Sequence, residues 1–307
     1  MAFPIQDKFV IAVTTSALFD MKESHEVFIS KGESAYRKYQ DQHIDDTLMP
    51  GVAFPFIRRF LSLNDVFPEE KPVEVVVFSK NSPSTGLRAL RSIEHYGLPI
   101  TRSLFTSGNP NFQYLPAYNS TLFLSSNPED TKAAIKAGYA AGTVLNQSIV
   151  DNMEDTELRI GFDFDSVVAD DSSEEFFKNS GIDQYMSHEE SLSSSPLSKG
   201  PLGDLLKKVS NFQKLEQKKK MKNPSYTPIL KTAIITARNA PAHERVVTTL
   251  NEWNIDVNQV FFLGGIEKAR ILNILKPHIF FDDQITHLKD LIDIPAVHIP
   301  FGIANNM

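Results

Sequence analysis

The stretch LRIGFDFDSVVAD, Leu158–Asp170, decides the reading of the whole chain. A short apolar run, Ile160–Phe162, delivers two aspartates one residue apart, Asp163 and Asp165, and the apolar pair Val167 and Val168 follows at once. A short run of this kind reads as a buried strand. Like charges at its end need a reason, because carboxylates brought together without a partner repel each other.

The same framework occurs earlier in the chain. At an offset of 149, FVIAVTTSALFD (Phe9–Asp20) lies on this stretch, Phe28 on Phe177, Gly32 on Gly181, Tyr36 on Tyr185 and Gly51 on Gly200. After an insertion the offset becomes 157. VVFSKNSPSTGLRALRSIEHYGL (Val76–Leu98) then lies on AIITARNAPAHERVVTTLNEWNI (Ala233–Ile255), and LFLSSN (Leu122–Asn127) on IFFDDQ (Ile279–Gln284). So few offsets over so long a span indicate internal duplication. We read two α/β units, residues 1–148 and 156–307, joined by the acidic connector NQSIVDNMEDTE (Asn146–Glu157).

In the second unit the apolar runs are LRIGF, KTAIIT, QVFFLG, HIFFDD and PAVHIPF, alternating with helical patterns. That alternation predicts a mostly parallel, Rossmann-like sheet covered on both faces, whose ligands sit at the carboxyl ends of the strands. The long segment between the first two runs, about residues 171–229, holds the loop signal SLSSSPLSKGP and a helical stretch with a basic end. It is expected to form a cap over the strand ends.

Composition bounds the function. The chain is 41% hydrophobic and 22% charged, with net charge −7 and no cysteine. Disulfides, thiolate nucleophiles and cysteine-based zinc sites are excluded. The acidic balance argues against nucleic-acid polymers as partners. The chain shows no membrane-length apolar run and no secretory signal. A cytoplasmic location is the expectation, and assembly into a homo-oligomer is compatible with the sequence.

Polar groups fall at successive run ends. The pair Asp163 and Asp165 can bind a hard cation, attack phosphorus, or serve in acid–base chemistry; alone, a D-x-D is more often a solvated loop. Thr236, with the following backbone N–H of Ala237, can cradle an anion or simply cap a helix. Lys268 in FFLGGIEKAR can meet a phosphate or lie on the surface, and Lys276 is its rival. Asp282 and Asp283 end another apolar run. Convergence of four carboxylates predicts a divalent metal. In the first unit the corresponding residues are Thr14, Ser16, Ser79, Asn111, Ser125 and Ser126, so the framework persists while the charges are gone.

The ordered set D-x-D, Thr, Lys, DD resembles the haloacid dehalogenase superfamily. The segments PGVAFPFIRR, SPSTGLRALRSIEHYGL, ITARNAPAHERV and KPHIFFDDQ resemble, more closely, the cytosolic 5′-nucleotidase type I family, over about Phe9 to Phe301. The resemblance implies a Mg²⁺-dependent hydrolase of nucleoside 5′-monophosphates with a catalytic second unit and a degenerate first one. By motif, Asp163 is implied as nucleophile and Asp165 as acid and base. Thr236 and Ala237 would bind the phosphoryl group, and Lys268 would neutralise it. Mg²⁺ would be held by Asp163, the Asp165 carbonyl and Asp282, with Asp283 adjoining. Phe176 and Phe177 are candidates for base stacking, though cap core explains them as well. Arg238 and Asn239 are candidates for substrate contact, or helix-start residues. A phosphatase for another small ester and a non-catalytic nucleotide sensor are the competing readings.

Overall fold

The computed structural model describes residues 3–145 and 149–306, so Asn146–Ser148 of the connector lie outside the described residues. In the first half, β1 (Phe9–Val13) is followed by α1 (Thr15–Leu18), α2 (Lys22–Gln42) and α3 (Phe54–Val66). Then come β2 (Val73–Ser79), α4 (Pro83–His95), β3 (Arg102–Phe105), β4 (Ser120–Ser125), α5 (Pro128–Lys136) and β5 (Ala141–Val144). The second half opens with β6 (Leu158–Phe162), α6 (Ser172–Ser180), α7 (Ile182–Ser191) and α8 (Gly203–Lys222). It continues with β7 (Leu230–Thr236), α9 (His243–Glu252), β8 (Gln259–Phe262) and α10 (Lys268–Leu275), and closes with β9 (Ile279–Asp282), α11 (Ile285–Leu288) and β10 (Ala296–His298). The five apolar runs read from the second half each coincide with or overlap one of β6 to β10.

The strands form one sheet in the order β3-β2-β1-β4-β5-β10-β9-β6-β7-β8. All pairings within each half are parallel. The two halves meet through β5 and β10, which pair antiparallel with Val144 opposite Val297 and Thr143 opposite His298. Gly142 makes this approach feasible, since a Cβ there would lie 2.3 Å from Val297 Cγ1. Because that one pairing is antiparallel, the strands of the first half point their carboxyl ends to one edge of the sheet and those of the second half to the other.

Local geometry recurs at the offset found in the sequence. Gly32 kinks α2 with φ 78° and ψ −177°, and Gly181 separates α6 from α7 with φ 78° and ψ 176°. Phe28 packs edge-on to Tyr36, as Phe177 does to Tyr185. Gly51 and Gly200 both press against backbone, of Phe19 and Ala169 respectively.

The expected cap segment divides into two parts. From α8, Leu205, Leu206, Val209 and Phe212 are buried in the main core with the residues of β1 and β6, each worth about 1.5–3 kcal/mol of transfer energy. This helix touches β4 of the first half, while α3 touches β6 of the second, and Phe67 meets Phe212 edge-on between them. Only α6 and α7 stand away from that core, with Ser173, Tyr185 and Glu189 as their buried residues.

Candidate functional site

The carboxyl ends of β6, β7 and β9 lie side by side, because β6 pairs with both of the others. Asp163 follows β6 immediately, and its N–H donates to Phe281 O at 2.8 Å, which fixes the two strand ends in register. One carboxylate oxygen of Asp163 accepts from Phe164 N at 2.7 Å. The other lies 2.5 Å from Lys268 Nζ. Lys268, the first residue of α10, reaches Asp282 Oδ2 at 2.7 Å as well. Its side chain is 4% exposed, so this ammonium sits among buried carboxylates and not on the surface. Lys276 instead ends α10 in a left-handed conformation.

Asp282 accepts further hydrogen bonds from Gln284 N and from His287 Nδ1. Asp163, Asp282 and His287 offer ligand atoms within 4.8 Å of one another. Asp283 is buried, and its Oδ2 has no hydrogen-bond partner. Its backbone carbonyl accepts from His298 Nε2 and Asn305 Nδ2.

The electrostatics follow from this crowding. Burial pushes Asp163 up to about 7, with Lys268 opposing and Asp282 reinforcing the rise. Burial, with Asp163 and Asp282 nearby, pushes Asp283 up to about 9. Burial acts to raise Asp282 too, but Lys268 and His287 outweigh it and hold its carboxyl below the usual range. Burial acts to lower Lys268, yet Asp163 and Asp282 outweigh it and strengthen its hold on its proton. Asp163 and Asp282 share one ammonium, and the buried carboxyl of Asp283 adjoins them without a partner of its own, so the cluster favours an additional positive charge.

Thr236 ends β7 and is buried, and its Oγ1 accepts from Arg238 N at 3.3 Å. Ala237 and Asn239 are exposed, and Asn239 lies against Gly264. Gly264 and Gly265 both adopt positive φ in the turn after β8. Asp165 is half-buried and grips Arg238, which is itself buried. Phe176 stacks on His188 with centroids 3.9 Å apart, and Phe177 is an exposed residue edge-on to Tyr185.

The sequence profile of a family described as 5′-nucleotidase matches residues 1–306. The chain belongs to the 5′-nucleotidase family. Human "Cytosolic 5'-nucleotidase 1B" is 33% identical over 290 residues, which cover 92% of this chain and 47% of that protein. The chain thus spans about half the length of the curated relative it matches. No solved structure matches it. No helix among the described residues is long and apolar enough to cross a membrane.

In this 5′-nucleotidase family member, three residues near the site escaped the sequence reading. His287 lies in the run HIFFDDQITHL (His278–Leu288), five residues after Asp282, and one short helical turn brings it back to that carboxylate. Glu189 and Arg245 form a buried ion pair at 2.9 Å. The surroundings of Glu189, MSHEESLSSS, carry no signal that separates it from a solvated glutamate. At the equivalent strand ends of the first half, Ser16 and Ser126 share a hydrogen bond at 2.5 Å and Thr14 lies 3.4 Å from Ser16. Asn111, in place of Lys268, is buried with neither amide atom partnered.

Proposed function

We propose that this chain is a Mg²⁺-dependent phosphomonoesterase that hydrolyses nucleoside 5′-monophosphates through an aspartyl-phosphate. The observation that carries this is the buried cluster in which Asp163, Asp282 and Lys268 converge beside the unpartnered oxygen of Asp283. Membership of the 5′-nucleotidase family supports the substrate class.

The donor set fits a hard divalent cation, which takes oxygen ligands in preference to nitrogen or sulfur. Asp163, Asp282 and the backbone carbonyl of Asp165 would hold it, with Asp283 and His287 adjoining. When bound, Mg²⁺ supplies positive charge that masks the phosphate.

The protein's own groups then have separate tasks. An Asp163 carboxylate oxygen attacks phosphorus, and the bond from phosphorus to the nucleoside 5′ oxygen breaks. Asp165 donates its proton to that departing oxygen. Asp165, now ionised, takes a proton from water as the water attacks phosphorus, which frees phosphate and restores Asp163. The Thr236 hydroxyl and the Ala237 N–H hold phosphoryl oxygens. Lys268 offsets charge on the transferring group while bridging Asp163 and Asp282 and screening their repulsion. Positioning and charge neutralisation are what phosphoryl transfer chiefly requires.

Within this reading the chain is a duplicated unit, 1–148 and 156–307, in which the second carries the chemistry and the first has lost it. The cap is α6 and α7, the part of segment 171–229 that stands outside the core. The expected location is cytoplasmic. The test is phosphate release from a panel of nucleoside 5′-monophosphates and simple phosphate esters, with Mg²⁺ and with a chelator. Metal-dependent release that varies with the base supports the proposal. Equal release from every ester would replace it with a general phosphatase, and no release would replace it with a nucleotide sensor.

A further inference from the structure

The strand ends of the first half repeat those of the second in backbone but not in charge. Thr14 N–H donates to Leu124 O at 2.9 Å, as Asp163 N–H does to Phe281 O at 2.8 Å. Ser79 Oγ accepts from Asn81 N at 3.1 Å, as Thr236 Oγ1 does from Arg238 N at 3.3 Å. Ser125 Oγ accepts from Asn127 N at 3.1 Å, as Asp282 Oδ1 does from Gln284 N at 2.8 Å. The loop after β3 also copies the loop after β8. Thr106 N–H donates to Ser79 O at 3.0 Å and Ser107 N–H to Asn81 O at 3.1 Å, where Leu263 N–H donates to Thr236 O at 3.0 Å and Gly264 N–H to Arg238 O at 3.3 Å. Ser107 and Gly108 have φ of 49° and 89°, and Gly264 and Gly265 have 52° and 95°. This path ends on Asn111, just before the short turn Phe112–Tyr114, as its counterpart ends on Lys268 at the start of α10.

We propose that the carboxyl ends of β1, β2 and β4 form a second ligand site, which binds a phosphate group without a metal ion. Hydroxyls of Thr14, Ser16, Ser125 and Ser126 stand where the second half has four carboxylates. Thr14 and Ser125 are buried, Ser126 is half-buried and Ser16 is exposed, so the set runs from the core out to solvent. Asn111 is fully buried, and neither its amide nitrogen nor its amide oxygen has a partner. A buried amide left unpaired is costly, and such an exception calls for a reason. Hydroxyls and the amide nitrogen can donate to phosphate oxygens, and bonds to a charged acceptor are the strong ones. Carboxylates at these positions would repel the anion and require a cation to offset them; hydroxyls do not. The one buried carboxylate beside the set, Asp130, is paired with Lys80. Because β5 and β10 pair antiparallel, this site lies at the opposite edge of the sheet from the Asp163 cluster, and both can be filled at once. The inference goes beyond the proposed function and requires no turnover at Asp163. Free phosphate and a nucleoside monophosphate both carry the group that these donors recognise.

The test is isothermal titration of the full chain in excess chelator. The probes are inorganic phosphate and a nucleoside 5′-phosphonate, in which carbon replaces the bridging oxygen so that neither probe is hydrolysed. Two variants locate the binding. Asn111→Leu keeps the side-chain volume and removes the amide. Ser126→Asp restores, at a half-buried position, the carboxylate that the second half carries at Asp283. The expected result is binding of at least one probe to the parent, weakened about tenfold or more by each variant. Asn111→Leu should also melt no lower than the parent, since that amide holds nothing within the protein. Tighter binding of phosphate would name the free ion as the ligand, and tighter binding of the phosphonate a nucleotide; either order supports the site. No binding of either probe up to about 10 mM, or affinity unchanged in both variants, would overturn the proposal. Should Asn111→Leu not fold, Ser126→Asp decides alone. Phosphate release by the Mg²⁺-loaded parent tests the proposed function separately: an inactive parent that binds as expected in chelator keeps this site and loses that function.

Discussion

Replacing Lys268 with methionine removes an ammonium while keeping most of the side-chain volume. Lys268 pairs with Asp163 and Asp282, whose side chains are 8% and 0% exposed. Removing one partner of a buried ion pair typically costs about 3–5 kcal/mol, since it strands the other charge. Here the stranded groups can escape by taking up protons, so the cost must depend on pH. Burial holds Asp163 up at about 7 in the folded protein, above the ordinary value of 3.8. A carboxyl whose folded pKa is raised binds more protons folded than unfolded between those two values, so stability falls as pH rises through that window. Without Lys268 the window widens upward for Asp163 and opens for Asp282. The expected deficit in chelator is therefore about 3–5 kcal/mol at pH 8 and about 1 kcal/mol at pH 5. At roughly 2 °C per kcal/mol for a chain of this size, the pH 8 value is about 6–10 °C in melting temperature. Scanning calorimetry of parent and variant at both pH values, with chelator and with Mg²⁺, checks this. Mg²⁺ should raise the variant's melting temperature by more than the parent's. A deficit of the same size at pH 5 and pH 8, with no extra gain from Mg²⁺, would refute the reasoning.

Three further outcomes are expected. Asp163→Asn should lower turnover by at least ~10³-fold, while its melting temperature in chelator at pH 8 stays level or rises, because one crowded charge is gone; activity assays and calorimetry on the same sample separate the two effects. Gly200→Ala puts a Cβ 2.1 Å from Ala169 O and should destabilise by about 1–3 kcal/mol, measured by urea denaturation; a smaller effect would show that the loop yields. Phe177→Ala removes an exposed ring that contacts Tyr185 and should change KM for a nucleotide less than about twofold, whereas a larger rise would assign base stacking to that ring.

Much of this architecture could be read from Leu158–Asp170 and its echo at Phe9–Asp20. Strand positions follow from local apolar runs, and the offset carried Gly32 onto Gly181 and Gly51 onto Gly200, where backbone geometry does repeat. The pairing of β5 with β10 could not be read, because PAVHIPF looks the same whichever strand lies beside it. The role of α8 was misjudged for a related reason: GDLLKKVSNFQ shows which residues are apolar but not which surface covers them. In the site, Asp163, Lys268 and Asp282 were found because each sits at the end or start of a recognisable element. Glu189, Arg245 and His287 were missed because a buried partner, not a local pattern, distinguishes them from solvated charges.

The antiparallel seam between β5 and β10 joins the two halves into one sheet through a single strand pair. Here each side also lends a helix, α3 lying on β6 and α8 on β4. A protein cut at the connector would therefore leave the second half with an open strand edge at β10 and with the β6 surface that α3 covers laid bare. An open edge of that kind recruits another copy of itself, so the separated second half should reassemble with its own kind, and the first half serves, at the least, as the partner that never dissociates.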